Sequence, residues 1–517
     1  MREVHGDRSA TPTGAVSTLP PAQLRVVLFA LILAVLLATL DTTIVSTALP
    51  TIAGEFNAFE HYAWVGTAYI VASTIATPIL GKLSDLLGRR VVFQATMATF
   101  LLGSLACGIA QSMNQLIAAR ALQGLGGGAI QALAFSILGD ILTPRERGRY
   151  IGYFTMAFAG AALAGPLVGG FIIDHWSWHW IFLINLPLCV LVGALTHRAL
   201  RLPFPRRAAQ IDWAGAALLS VGLGCGMIGL EEGRSGWTEP LILLLFAGAG
   251  ISLVAFVLRQ RVAPEPMIPL RLFANPVVVA CCLLGMLAGS VSYGWTQFLP
   301  IYFQDAMFVS PTGSGLRMLP IMVAVVIASF SAGRLVARTG RYKIFPVAGS
   351  ALLAVGLALS GALIGGGAYW HLVAPLALIG FGSGFVFTTT SIALQNGVEF
   401  RDLGVGTATM MFFRSLGGSI GLAVAGTLLN SSIRADLPER TGLAPDAAVA
   451  LIRAPQEIAA LAEPTRQAVI DSIADGVATL MWVAAGCMAV GVLVAARLPE
   501  LPLRTKAGIT DALEGAG

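Results

Sequence analysis

Residues 81–90 read GKLSDLLGRR, and residues 333–341 read GRLVARTGR. Gly81, Gly88 and Arg89 of the first stretch answer to Gly333, Gly340 and Arg341 of the second, about 250 residues later. Two further landmarks keep that interval and order. Leu49-Pro50 closes one apolar run and Leu299-Pro300 another, while Gly124, Gly126 and Gly128 recur as Gly380, Gly382 and Gly384. Similar glycines arise separately in many membrane helices, but three landmarks in register mark a chain that repeats itself in parallel orientation. Parallel repeats about an axis along the membrane normal are a transporter architecture, with the substrate site near mid-membrane between the two halves.

Composition agrees with a membrane setting. The 517 residues are 56% hydrophobic and 11% charged, with a mean hydropathy of +0.80. Soluble domains carry roughly 25% charged residues, so a typical cytosolic enzyme, a disordered chain and a secreted disulfide scaffold are all excluded. Apolar runs bounded by charge, Pro or Gly give about 14 helices of membrane-spanning length. The first is expected at 26–50, a short sixth at 180–196, the tenth at 313–337, the thirteenth at 404–428 and the last at 477–496. The expected class is an all-α integral membrane protein built of two six-helix bundles plus two linker helices. Its parts are an N-terminal tail (1–25), a first bundle (26–200), a linker pair with flanking loops (201–275), a second bundle (276–497) and a C-terminal tail (498–517). The second bundle includes an external loop at 429–476, whose stretch 444–475 has the spacing of short amphipathic helices or of a passive connector.

The net charge of +5 and pI near 9.0 do not point to nucleic acid, because the basic residues sit in short clusters between apolar runs. Most of them gather on one side, among them Arg25, Lys82, Arg89, Arg90, Arg147, Arg198, Arg259, Arg271, Arg338 and Arg497. The other side has Arg234 and four arginines of one long loop, which weigh little in topology. Both termini are therefore expected in the cytoplasm. The six cysteines lie in apolar segments without metal-ligand spacing and read as small core residues. The first apolar run is too long for a signal-peptide core and is expected to be retained.

Few ionisable residues fall inside the spans. Asp41 lies about nine residues from the outer end of the expected first span, roughly 13 Å deep. A carboxylate there costs several kcal/mol unless it is paired, hydrated or protonated, which makes it a candidate for proton uptake and release. Arg120 sits at comparable depth in the fourth span. The repeat positions near Val291 and Leu376 are apolar, so coupling is expected in the N-terminal half. Arg414, in the thirteenth span, has backbone carbonyls or an unidentified carboxylate as its expected partners. Asp85, near Arg89 and Arg90, forms a charge cluster at the membrane edge; Gly81 and Gly88 permit a tight reversal and close helix approach. The second copy has Ala337 in place of Asp85, so an acidic latch belongs to the first half. No GxxxxGK[ST] or HExxH pattern occurs, and the GxSxG match at 417–421 lies inside the apolar thirteenth span without the strand-to-helix turn that motif needs, so direct use of ATP and intramembrane hydrolysis have no support.

At this point the residues resemble a known family. Gly81, Asp85, Gly88, Arg89 and Arg90 look like the cytoplasmic loop signature of the major facilitator superfamily. LDTTIVSTALP (40–50), RALQGLGGGA (120–129), GPLVGG (165–170), WHWIFLINLP (178–187), PMIPLRLF (266–273), LPIYFQ (299–304) and FFRSLGGSIG (412–421) resemble its 14-span drug:proton antiporter branch. The resemblance implies that the first and fourth helices are neighbours, so that Asp41 and Arg120 can meet, as a coupling pair or as an inert ion pair. It implies that the loop cluster braces one gate state, and that Gly165, Pro166, Gly169 and Gly170 form the segment that marks antiporters. Ala161 stands where that segment expects a further glycine. Gln123 and Gln304 are candidate polar contacts. The function implied is export of amphipathic organic compounds, often cations, driven by the proton gradient without cofactor or metal. An exporter of a siderophore, antibiotic or lipid-like metabolite, and an uncoupled sensor of the same fold, are the alternatives. The expected partners are the lipid bilayer, small amphipathic substrates and protons; a periplasmic adaptor is left open. The expected location is a bacterial plasma membrane.

Overall fold

Glycine, proline and polar caps set the helix ends in the computed structural model, which describes residues 20–56, 62–200, 211–233, 239–366, 368–399, 402–441, 458 and 461–504. The N-terminal half contains α1 (Pro21–Glu55), α2 (Tyr62–Leu87), α3 (Arg89–Gly108), α4 (Met113–Ile141), α5 (Pro144–His175), α6 (His179–Leu183) and α7 (Asn185–Ala199). Two helices, α8 (Trp213–Glu232) and α9 (Pro240–Val262), pack on each other and lead to α10 (Pro276–Ile301). A π turn at Tyr302–Ala306 follows, then α11 (Pro311–Arg317), α12 (Leu319–Thr339), α13 (Ile344–Leu363), α14 (Trp370–Gly397), α15 (Leu403–Thr441) and α16 (Thr465–Ala496). Among the described residues there is no strand, and 14 segments are long and apolar enough to cross a membrane. The α-helical membrane class and the number of crossings are those expected.

Several boundaries differ from expectation. The first helix runs from Pro21 to Glu55, beyond the expected 26–50. The sixth crossing is broken at Ile184, because Pro187 has no N–H to donate to Leu183 one turn back. The tenth is interrupted at Met318, where Pro320 likewise removes a helical hydrogen bond. The larger correction concerns 429–476. The thirteenth helix continues to Thr441 and the last begins at Thr465, so most of the described part of this segment is helix end, not loop. The extension exists because Leu429, Ile433 and Leu437, one stripe at helical spacing, are buried in the core that also holds Val469 and Ile473 of α16. Arg440 closes the pair, bonding Asp436 at 2.8 Å and Asp475 at 3.0 Å. Residues 442–457 of the expected amphipathic stretch lie outside the described residues.

The repeat is visible in the packing. Gly88 ends α2 at φ 95°, and Gly340 ends α12 at φ 71°, both in the left-handed region that glycine tolerates. A Cβ on Gly124 or Gly128 would strike the backbone of Tyr69 or Ser73 on α2, and one on Gly126 would strike Phe100 on α3. In the second half Gly380 and Gly384 press on α12 at Ile321 and Val325, while Gly382 presses on Gly349 of α13. The same glycine register thus seats α4 on α2 and α3, and α14 on α12 and α13.

The start of α1 and the residues just past α16 lie on one face, termed here the terminal face: Val27 and Leu498 share a core that draws on both halves. Away from that face the core residues fall into two clusters, one wholly N-terminal (Ile44 to Phe182) and one wholly C-terminal (Ala288 to Met488). The α8–α9 pair lies outside the two halves. It packs on Ile75 and Ile79 of α2 and on Phe412, Phe413 and Leu416 of α15, while α9 leaves Leu244 and Ile251 exposed, as a lipid-facing helix does. Its base is tied by Asp212, which accepts from the Gly215 N–H at 3.0 Å, Arg259 at 3.0 Å and Gln260 at 2.9 Å. Burial pushes the Asp212 carboxyl up, but these donors outweigh it and hold the group below the ordinary carboxylate range. The segment after α9 then bonds both halves, through Glu265 to Lys82 at 3.0 Å and through Arg271 to Asp402 at 2.9 Å.

Candidate functional site

Asp41 is part of a closed polar network inside the N-terminal half. Helix α1 continues to Glu55, so the carboxylate lies about 14 residues, roughly 21 Å, from that helix end. Its Oδ2 accepts from Arg120 Nη1 at 2.7 Å. Its Oδ1 accepts from Gln123 Nε2 at 2.8 Å and from Asn185 Nδ2 at 2.7 Å. Arg120 also donates through Nε to the Val65 carbonyl at 3.3 Å and through Nη1 to Gln123 Oε1 at 2.6 Å. The Tyr69 ring lies 4.3 Å from its guanidinium carbon, a cation–π distance. Ser104 Oγ accepts from Gln123 at 3.1 Å and from Asn185 at 3.0 Å, and donates to the Phe182 carbonyl at 2.8 Å. The Asp41 side chain is 0% exposed and that of Arg120 is 2% exposed.

Local packing puts these groups together. Gly103 lets α3 touch α4: a Cβ there would lie 2.4 Å from the Gln123 Cα, so Ser104 is delivered to the amide. The break at Ile184 starts α7 at Asn185, beside the carboxylate. Gly165 presses α5 onto α1, its absent Cβ falling 2.2 Å from Thr43 Oγ1, and Thr43 donates to the Ala161 carbonyl at 3.1 Å. Gly169 is buried on the same helix, Gly170 faces open space, and Pro166 lies within it. Asn185, Ser104 and Tyr69 were not singled out from the sequence; the signal was the one amide in the apolar run WHWIFLINLP. Gln304 is half-buried in the π turn of the other half and makes none of these contacts.

The loop cluster at the end of α2 meets the other half of the protein. Asp85 Oδ2 accepts from the Val405 N–H at 2.7 Å, in the first turn of α15, where the helix dipole favours an anion. Arg89 pairs with Asp85, and its Nε pairs with Asp140 at the end of α4, at 2.7 Å. Arg90 is not in this cluster, contrary to the expectation. Gly88 turns the chain so that Arg89 points inward and is buried, while Arg90 remains half-exposed with no ion pair among the described residues. A Cβ on Gly81 would fall 2.2 Å from Ala408 Cβ, so α2 and α15 approach closely here. Gly148 of α5 and Gly333 of α12 meet backbone to backbone, each absent Cβ falling within 2.4 Å of the other glycine. Gln395 Nε2 donates across the halves to the Phe135 carbonyl at 3.0 Å.

Arg414 also crosses between halves. Its Nη2 lies 3.3 Å from Gln131 Oε1 of α4, and its guanidinium carbon 5.5 Å from the Phe387 ring. Its partner is thus an amide, and no carboxylate pairs with it among the described residues. Thr74 and Ser415 bond at 2.9 Å. Val291 and Leu376 are buried in the apolar core. Among the described residues no group of His, Cys, Asp and Glu could hold a metal ion, and the six cysteines are free thiols.

Replacing Asp85 by Asn is expected to weaken the terminal-face contact. A hydrogen bond to a charged group contributes about 1.5–3 kcal/mol, so the joined state should fall about 10- to 150-fold relative to its alternative. Spin labels at Arg198→Cys and Arg338→Cys, both exposed at this face, should report a longer distance population. An unchanged distribution would show that Asp85 does not hold the face closed.

Residues 31–422 match the family model described as the Major Facilitator Superfamily. The chain is 35% identical to an uncharacterized MFS-type transporter of Mycobacterium tuberculosis (strain ATCC 25618 / H37Rv), across 94% of this chain and 71% of that protein. It is 35% identical to Multidrug resistance protein 3 of Bacillus subtilis (strain 168), across 80% of this chain and 81% of that protein. Among solved structures, the human organic anion transporter MFSD10 superposes with a TM-score of 0.63 at 16% identity. That alignment covers 92% of this chain and all of the MFSD10 chain.

Proposed function

This chain belongs to the Major Facilitator Superfamily, and on that premise we propose that it is a proton-coupled exporter of amphipathic organic compounds, working by alternating access. It is a multi-pass membrane transporter and not an enzyme. The observation that carries the finer reading is the Asp41 network: a carboxylate with no exposed surface, its oxygens committed to Arg120, Gln123 and Asn185. Such a group is costly in a membrane and persists where it is used.

In this reading the terminal face is cytoplasmic, as the basic residues suggest, and the substrate cavity opens to the opposite side, where the two halves keep separate cores. A proton entering from that side neutralises Asp41, which releases its hold on Arg120 and favours separation at the terminal face. Substrate binds from the inside, the proton leaves Asp41, and the restored ion pair accompanies closure. Gln131 and Arg414, facing each other across the halves, line the path. The name of the Bacillus subtilis relative, Multidrug resistance protein 3, supports drugs as the substrate class. No cofactor is needed; the proton gradient supplies the energy.

Proteoliposomes holding the native chain, a lipophilic cation dye and an imposed pH gradient test the reading. Dye should move against the proton flux and stop when a protonophore collapses the gradient. Dye movement that ignores the gradient would overturn proton coupling.

A further inference from the structure

We propose that Asn185 is a positioning residue whose side-chain amide turns over when Asp41 takes up its proton, and that it thereby sets where in pH the carboxylate loads. The inference rests on the reading of Asp41 as the proton carrier.

The hydrogen bonding around Asp41 is complete only for the ionised form. A carboxylate accepts and cannot donate, so it needs N–H groups, and three converge on it: Arg120 on Oδ2, Gln123 and Asn185 on Oδ1. A protonated Asp41 has one O–H to place, and of the side-chain oxygens of Gln123, Ser104 and Asn185 that surround it two are already taken. Gln123 Oε1 accepts from Arg120 at 2.6 Å, and Ser104 Oγ accepts two amide donors while its own hydrogen goes to the Phe182 carbonyl. The exception is Asn185 Oδ1, which is fully buried and accepts from nothing among the described residues.

An orphaned buried carbonyl oxygen disfavours the state that contains it. Here it sits on the same amide whose nitrogen lies 2.7 Å from Asp41 Oδ1. Half a turn about the last side-chain bond exchanges the two ends of the amide. The oxygen then accepts the new O–H of Asp41, while the NH2 gives up its bonds to Asp41 and Ser104. Asn185 is suited to this because it opens α7 at the helix break, and among the described residues its side chain bonds Asp41 and Ser104 through the nitrogen alone. Gln123 is not, since both ends of its amide are engaged.

The charged and titratable groups that face Asp41 are Arg120 of α4, Tyr69 of α2, Cys107 of α3 and Cys189 of α7. Tyr293 of α10 acts on Tyr69 from the other half, and α5 packs on α1 through Gly165 and Ala161. Among the groups that face Asp41, Tyr69 alone carries a side-chain oxygen, and among the described residues no hydrogen bond joins it to Asp41, whereas the Asn185 amide is already bonded to the carboxylate.

Infrared difference titration of the purified full-length protein tests this. The carboxylic C=O band that vanishes in Asp41→Asn identifies the Asp41 proton, and an amide C=O change that titrates with it should vanish in Asn185→Leu. A donor to a charged carboxylate contributes more than an acceptor to a neutral acid. In Asn185→Leu the band should therefore load about tenfold more readily, its midpoint moving up by about one pH unit. Its C=O stretch should also shift to higher frequency, because the O–H then lacks an acceptor. Asn185→Ser, which withdraws the amide with a smaller side chain, should act in the same direction and serves if the Leu variant does not fold. A band that titrates unchanged in both variants, or an amide signal that never follows it, overturns the inference. A native protein with no Asp41 band overturns the proton-carrier reading itself, a distinct result.

Discussion

Asp41→Asn is expected to abolish gradient-driven export, lowering it at least 100-fold, while the protein still reaches the membrane. The amide is nearly isosteric with the carboxylate and fills the same space, but it cannot take up and release a proton. It also leaves Arg120, 2% exposed, without its anion. Removing one partner of a buried pair costs about 3–5 kcal/mol, a large part of the 5–15 kcal/mol that typically separates folded from unfolded protein. A lower thermal midpoint should therefore accompany the transport loss. The second change Arg120→Gln should recover much of that stability, since no unpaired charge remains buried, but no transport. The two measurements separate roles: a pair that only holds helices together would give back transport along with stability. Full gradient-driven export in Asp41→Asn would remove the carboxylate from the coupling mechanism.

Gly148→Val carries the second largest expected effect. Helices α5 and α12 touch at Gly148 and Gly333 with no side chain between them, and a Cβ on Gly148 would sit 2.4 Å from the Gly333 Cα. Real Cβ atoms do not approach a backbone so closely, and neither side of this contact can swing away, because both are main chain. Overpacking of this kind costs about 1–3 kcal/mol or more, so the joined form of the terminal face should be depopulated about 5- to 150-fold. Transport should fall in step, because the cycle needs that face to close. The label pair at positions 198 and 338 should show the wider separation as the main population. A Val variant with native transport and native distances would mean that the α5–α12 contact takes up the side chain without opening the face, which would overturn the prediction.

Much of this arrangement is legible in the sequence, for physical reasons. Membrane crossings are legible because lipid demands long apolar runs. The repeat is legible because helix crossings this close demand glycine at fixed places, which is why Gly124, Gly126 and Gly128 return as Gly380, Gly382 and Gly384. Asp41 and Arg120 stand out because charge in a span is rare. What stayed hidden depends on contacts between distant elements. Asp140, which shares Arg89 with Asp85, is 51 residues away from that arginine. Gln131 meets Arg414 across the two halves. Asn185 carries no charge and is one polar residue in an apolar run. The ends of α15 and α16 away from the terminal face read as loop because their polar residues mask a single apolar stripe, visible only once the two helices are side by side.

The unbroken course of α15 has a mechanical consequence. Its 39 residues make one rod, about 58 Å long at 1.5 Å per residue. One end is held by Asp85 through the Val405 N–H, and the other is pinned to α16 by Arg440. A rod hinged near the middle of the bilayer is a lever. A tilt of about 5° that frees the Asp85 end would swing the far tip about 2.5 Å in the opposite sense. The far ends of α15 and α16 thus report, on the other side of the membrane, whether the latch at Asp85 is fastened.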